Sequence, residues 1–262
     1  MMQLEALGED AFEGRGPQYP WGGLYGGQIV AQGLRAGAAT VEERFHVHSL
    51  HAYFIRPGDA DAPIRFDVAR SRDGRSFCTR SVVASQADVG VILTLSLSFQ
   101  VDEEAAEVQT AVMPLVPAAA DLPDDSWSEL FARRKTPERR GEAGAWMEVA
   151  GDIGEDRALQ ACALAYLSDD LPTEAVVSLH PAFDPAAPMD RQFMSASLDH
   201  AIYFHRPAVA DRWHLQTFTC HGLMSSRGVS IGSVFTTTGT HVATVVQEVL
   251  LRTRRPATRQ GP

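Results

Sequence analysis

From Leu93 to Gln100 the chain alternates strictly, with Leu93, Leu95, Leu97 and Phe99 set against Thr94, Ser96, Ser98 and Gln100. A period of two puts the apolar set on one face, so this run predicts a half-buried strand. Two similar runs precede it, Pro63 to Arg72 and Arg75 to Ser85, parted by the hairpin signal Asp73-Gly74. Ahead of them Gly22 to Gly27 leads into Gln28 to Ala36, where Ile29, Gln32, Gly33 and Ala36 recur at helical spacing. The order helix then strands returns further on. Glu155 to Leu167, rich in alanine and leucine and apolar nearly all round, predicts a buried helix. After it, Trp213 to Cys220, Val229 to Thr237 and His241 to Arg252 read as strands.

Each half also carries the string Tyr-Phe-x-Arg-Pro, at Tyr53 to Pro57 and at Tyr203 to Pro207, 150 residues apart. String and element order together predict a duplicated module of class α+β, each copy an antiparallel sheet wrapped around one central helix. The expected boundaries are 1–104 for the first module, 105–142 for a linker dense in Ala, Pro, Asp and Glu, 143–255 for the second module, and 256–262 for a tail.

The 262 residues are 45% hydrophobic and 21% charged, a composition that folds. A net charge of -10 argues against nucleic acid or an anionic membrane as partner. The one basic run, Arg133-Arg134-Lys135 with Arg139-Arg140, reads as a solvated helix end, with a local phosphate clamp as the alternative. Three cysteines without paired spacing, no signal-like start, no apolar run of about 18 residues and no Ser-Lys-Leu end predict a cytoplasmic location.

In a duplicated chain the informative positions are inward ones that turn polar in a single copy. At the 150-residue offset Ser197 replaces Val47 and Asp199 replaces Ser49. In the last strand Ala243, Val245, Gln247, Val249 and Leu251 share one face, and Gln247 falls where the first copy has Phe99. A buried amide needs partners or costs roughly 1–3 kcal/mol. Asp169 and Asp170 stand at the end of an otherwise apolar helix, where the helix dipole disfavours carboxylates. Gly228 to Gly232 spells G-x-S-x-G, but β-branched residues follow it instead of a helix, so it is no nucleophile elbow. His46, His48 and His51 lie close, with no carboxylate or cysteine beside them to complete a metal site.

These residues resemble the acyl-coenzyme A thioesterase II family of bacteria and peroxisomes, whose fold is the double hotdog. The likeness runs over about 20–104 and 143–253. It rests on Gly26-Gly27-Gln28, His48 to Gly58, Arg72 to Phe77, Ser98-Phe99-Gln100, Ser197 to His200, Phe204 to Pro207 and Val246-Gln247-Glu248. The resemblance implies hydrolysis of acyl-CoA by a water held and activated by Asp169, Ser197 and Gln247, without cofactor or metal, in a homo-oligomer. Asp170 departs from the family, which commonly has Asn there, and Thr173 to Met194, expected to border the acyl pocket, matches loosely. A hotdog protein can instead bind acyl-CoA without chemistry or act as a hydratase, for which Asp199 and His200 supply acid and base types on opposite strand faces.

Overall fold

A computed structural model describes residues 2–254; the tail expected at 256–262 lies outside them. In chain order the elements are β1 (Leu4–Ala6), β2 (Ala11–Gly14), α1 (Gly26–Ala38), β3 (Phe45–Phe54), β4 (Ile64–Asp73), β5 (Phe77–Gln86) and β6 (Gly90–Val101). Then come β7 (Phe131–Lys135), β8 (Glu142–Val149), α2 (Arg157–Ser168), α3 (Pro172–Leu179), α4 (Met189–Gln192), β9 (Phe193–Ser197), β10 (Asp199–Phe204), β11 (His214–Met224), β12 (Arg227–Thr236) and β13 (His241–Thr253). The two helices and the strands expected from periodicity are all present.

The strands form one antiparallel sheet in the order β1-β2-β4-β5-β6-β3-β10-β13-β12-β11-β8-β7, with β9 beside β13. The modules join where β3 pairs β10, the strands that carry the repeated string. Ala201 pairs His51, its own counterpart at the 150-residue offset, so a pseudo-twofold axis passes through that pair. The two strands share an irregularity as well. β3 bulges between Val47 and Ser49, and at Leu198, the matching place, the second copy breaks into β9 and β10. Each repeated arginine fastens the start of its module's last strand, Arg56 donating to Val89 O at 2.8 Å and Arg206 to His241 O at 2.9 Å.

α1 and α2 pack against each other, and α1 also covers β3 to β6. Both are buried on almost every side, as apolar all-round helices must be. The second module adds α3, which packs on β8, β11, β12 and β13; periodicity did not bring this short helix out of the loosely matching Thr173 to Met194.

The segment expected as a linker is more than a tether. Phe131–Lys135 forms β7 and pairs with β8, so the basic run is an edge strand instead of a helix end. Arg133 is buried there among acids, with Asp125 at 2.7 Å, Asp170 at 2.6 Å and Glu174 at 3.6 Å, so its own charge is already matched within the protein. Further upstream, Met113, Val116 and Leu122 cover Trp146, Leu215 and Phe235 on the second module's part of the sheet, and Trp146 Nε1 donates to Pro117 O at 2.8 Å.

Candidate active site

Asp169 lies where α2 stops. The Asp156 carboxylate starts the helix by accepting from the N–H groups of Ala158 and Leu159 at 2.9 and 3.2 Å. Leu171 ends the run because Pro172 opens α3, leaving Asp169 as the C-cap residue. A carboxylate at that end opposes the dipole of α2, and the compensation comes from the other module. Gly27, in the first turn of α1, donates its N–H to Asp169 Oδ2 at 2.8 Å, so the carboxylate sits on the positive end of α1. Close approach dictates the glycine pair. A Cβ on Gly26 would lie 2.6 Å from Asp169 Oδ2, and one on Gly27 2.3 Å from Tyr166 O.

The other two expected residues meet this carboxylate. Ser197, at the end of β9, donates from Oγ to Asp169 Oδ1 at 3.4 Å, and Gln247, fully buried on β13, donates from Nε2 to Ser197 Oγ at 2.7 Å. Burial pushes the Asp169 carboxyl up to about 7, against the lowering donors Gln247, Gly27 and Ser197, while the charge of Asp170 raises it further. Asp170 itself faces away, accepting from Trp127 Nε1 and Arg133 Nη1, both at 2.6 Å. Two neighbouring acids thus have unlike surroundings, one poised to titrate near neutrality and the other paired.

His200, which the sequence offers only as a hydratase base type, joins this site as well. It is fully buried between the two elements that carry the site, Nδ1 at 2.5 Å from Gln247 Oε1 and Nε2 at 2.9 Å from Ser168 Oγ. Burial pushes it down to about 4, so it is neutral at neutral pH. The available signal was the repeat itself, since His200 replaces Leu50 at the same offset that singled out Ser197.

The pairing register also corrects one correspondence. Gln247 lies opposite Ser230 on β12, and in the first module the counterpart of Ser230, Arg80, lies opposite Leu97. Gln247 therefore replaces Leu97, two residues from Phe99 on the same face. The pair Leu50–Leu97 of the first module has become His200–Gln247 in the second. At the opposite end of the helix pair a groove of about 1030 Å³ is lined by Val47 and Phe99 among others, so the first module has an opening there without the serine.

Asp199 is turned away from the site and accepts from the N–H of Glu248 at 2.6 Å, closing the break at Leu198. Gly228 to Gly232 lies wholly within β12. His48 bonds Ser98 Oγ at 2.8 Å, His46 lies 3.6 Å from Asp102, and His51 stacks edge-on against Tyr203. Among the described residues no three His, Cys, Asp or Glu come together to ligate a metal.

Two helix-centred modules sharing one antiparallel sheet make this a double hotdog protein. Two family models match the chain: the acyl-CoA thioesterase N-terminal domain over residues 16–100 and the acyl-CoA thioesterase C-terminal domain over 99–251. Acyl-CoA thioesterase 2 of Haemophilus influenzae is 31% identical, covering 96% of this chain and 96% of its own. Human acyl-coenzyme A thioesterase 8 is 31% identical over 97% of this chain and 88% of its own. Among solved structures, an acyl-CoA thioesterase II, TesB2, from Mycobacterium marinum is 33% identical with a TM-score of 0.83, covering 99% of this chain and 98% of the other. The chain belongs to the acyl-CoA thioesterase II family.

Proposed function

We propose that the chain hydrolyses acyl-CoA thioesters to the free acid and CoA by direct attack of water. Asp169 takes a proton from the water as it adds to the thioester carbonyl, and returns it to the departing CoA sulfur. Ser197 and Gln247 orient that water, and the amide end of α1 beside Gly26 faces the developing oxyanion. The observation that carries this reading is the burial of Asp169 against the first turn of α1, with its carboxyl raised to about 7. A base near the working pH combines ionisation with basicity.

Ser197 has no imidazole to activate it, since His200 is engaged by Gln247 and Ser168. That favours water over serine as nucleophile. Trapping an acyl group on Ser197 in a single turnover would contradict it. The hydratase reading needs Asp199 and His200 to act together, and they leave β10 on opposite faces. Release of free thiol from acyl-CoA esters of rising chain length, by the wild-type chain and by Asp169→Ala and Gln247→Ala, separates hydrolysis from mere binding. Hydrolysis lost in both variants supports the reading, and no thiol from any ester favours a binding module. Self-association and a reducing cytoplasmic setting belong to the same reading; the three cysteines are buried free thiols, which fits the latter. Light scattering and cell fractionation test the two.

A further inference from the structure

We infer that His200 and Ser168 are positioning residues for this hydrolysis, fixing which end of the Gln247 amide faces Ser197 and hence which way the Ser197 hydroxyl donates. The inference rests on Asp169 acting as the base. It follows from counting protons outward from that carboxylate. Ionised Asp169 can only accept, so Ser197 Oγ–H points to Oδ1. The Ser197 oxygen then accepts, which requires the NH2 end of Gln247 at 2.7 Å. The Oε1 end of Gln247 is thereby turned to His200, and Nδ1 at 2.5 Å must carry the proton. In a neutral imidazole Nε2 is then the acceptor. Ser168 Oγ, 2.9 Å away, supplies the hydrogen, sharing its one proton with Ala165 O at 3.0 Å. Every donor in the series Ser168, His200, Gln247, Ser197 points toward Asp169.

The duplicated module supports this independently. The first copy fills the same two cross-strand places with Leu50 and Leu97, both fully buried, so the fold does not need polar groups there. His200 and Gln247 appear together in the copy that has Ser197. An amide left without the Nδ1–H can turn over, present Oε1 to Ser197, and draw the hydroxyl proton away from Asp169. The carboxylate would then lose a donor and titrate at higher pH. The ionisable groups facing Asp169 are Asp170, held by Arg133, and Tyr25, whose phenol burial pushes far up; neither changes in the variants below.

The test is the pH profile of kcat and KM for thiol release from one good acyl-CoA, measured for His200→Leu, His200→Gln, Ser168→Ala, Gln247→Leu and His200→Leu/Gln247→Leu, with Asp169→Asn alongside. His200→Leu should lower kcat by about tenfold to a hundredfold, the effect of one unmet buried hydrogen bond, and move the acid limb to higher pH with KM nearly unchanged. His200→Gln, which keeps an N–H donor, should recover part of kcat, and Ser168→Ala should lose about threefold, the smaller effect of freeing the tautomer. Because His200 acts through Gln247, the double variant should be no slower than Gln247→Leu. Wild-type kcat and acid limb in His200→Leu, with Asp169→Asn inactive, would overturn the inference and leave the base assignment standing. An active Asp169→Asn would instead remove the base assignment itself. If His200→Leu fails to fold, Ser168→Ala and His200→Gln decide, and wild-type acid limbs in both would overturn the inference.

Discussion

Gly27 donates its backbone N–H to Asp169 Oδ2 at 2.8 Å, so a glycine of the first module holds the carboxylate of the second. The proposed site is therefore shared: the first module contributes the start of a helix, and the second contributes Asp169, Ser197 and Gln247.

This contact makes Gly26 and Gly27 unable to accept a side chain. Gly27→Ala puts a Cβ 2.3 Å from Tyr166 O, a backbone atom, and the two helices must part. Overpacking of this kind costs roughly 1–3 kcal/mol. Thermal unfolding should show the loss, and thiol release should fall with it. Gly26→Ala meets the Asp169 side chain at 2.6 Å instead, so it should affect kcat more than stability.

The titration of Asp169 has a stability consequence opposite to that of most acids. Its folded pKa, about 7, lies above the usual carboxylate value, so the folded chain binds this proton more tightly than the unfolded chain. The group therefore costs nothing at low pH and destabilises increasingly as pH rises from the unfolded value through 7. Asp169→Asn removes that cost. Denaturant unfolding should find the variant more stable than wild type at pH 8, on the order of a few kcal/mol, and the difference should close near pH 4. A difference independent of pH would show that the carboxyl is not raised.

Much of this was legible in the chain because repetition supplied its own reference. Period-two runs and the helical spacing after Gly27 located the helices and strands, and comparing copies picked out Ser197 and Gln247. Alternation fixes the face of a strand and leaves its register open. A slip of two keeps every side chain on its face, which is why Gln247 was matched to Phe99 when pairing matches it to Leu97. His200 stands beside Asp199, where the two residue types suggest an acid–base pair, and only the offset to Leu50 ties it to Gln247. The bond from Gly27 joins residues 142 apart, and no local pattern announces it. The edge strand β7 was hidden by its charges, whose partners Asp125, Asp170 and Glu174 come from other segments.

Arg133 holds Asp170 in the closely packed pair beside the site, with side chains 8% and 6% exposed. Arg133→Met leaves Asp170 buried and unpaired, a change that costs roughly 3–5 kcal/mol when one partner of such a pair is removed. Calorimetry should show the loss. In protein that remains folded, the uncompensated charge of Asp170 should raise Asp169 further and shift the acid limb of thiol release upward.

Gln247→Leu restores the residue of the first copy and strands His200 Nδ1 without a partner, at a cost of roughly 1–3 kcal/mol. Changing His200 to leucine as well should recover most of that stability, since both polar partners are then replaced together. Equal or greater instability of the double variant would mean that the row opposite Ser230 does not tolerate the leucine pair seen in the first module.

The most direct test is the rate of thiol release from acyl-CoA by wild type and Asp169→Asn between pH 5 and pH 9. With Asp169 as the base, the wild-type rate should rise with pH to a plateau with its midpoint near 7, and Asp169→Asn should be slower by about 10²–10⁴ and lack that limb. An Asp169→Asn rate equal to wild type, with the same midpoint, would contradict the account.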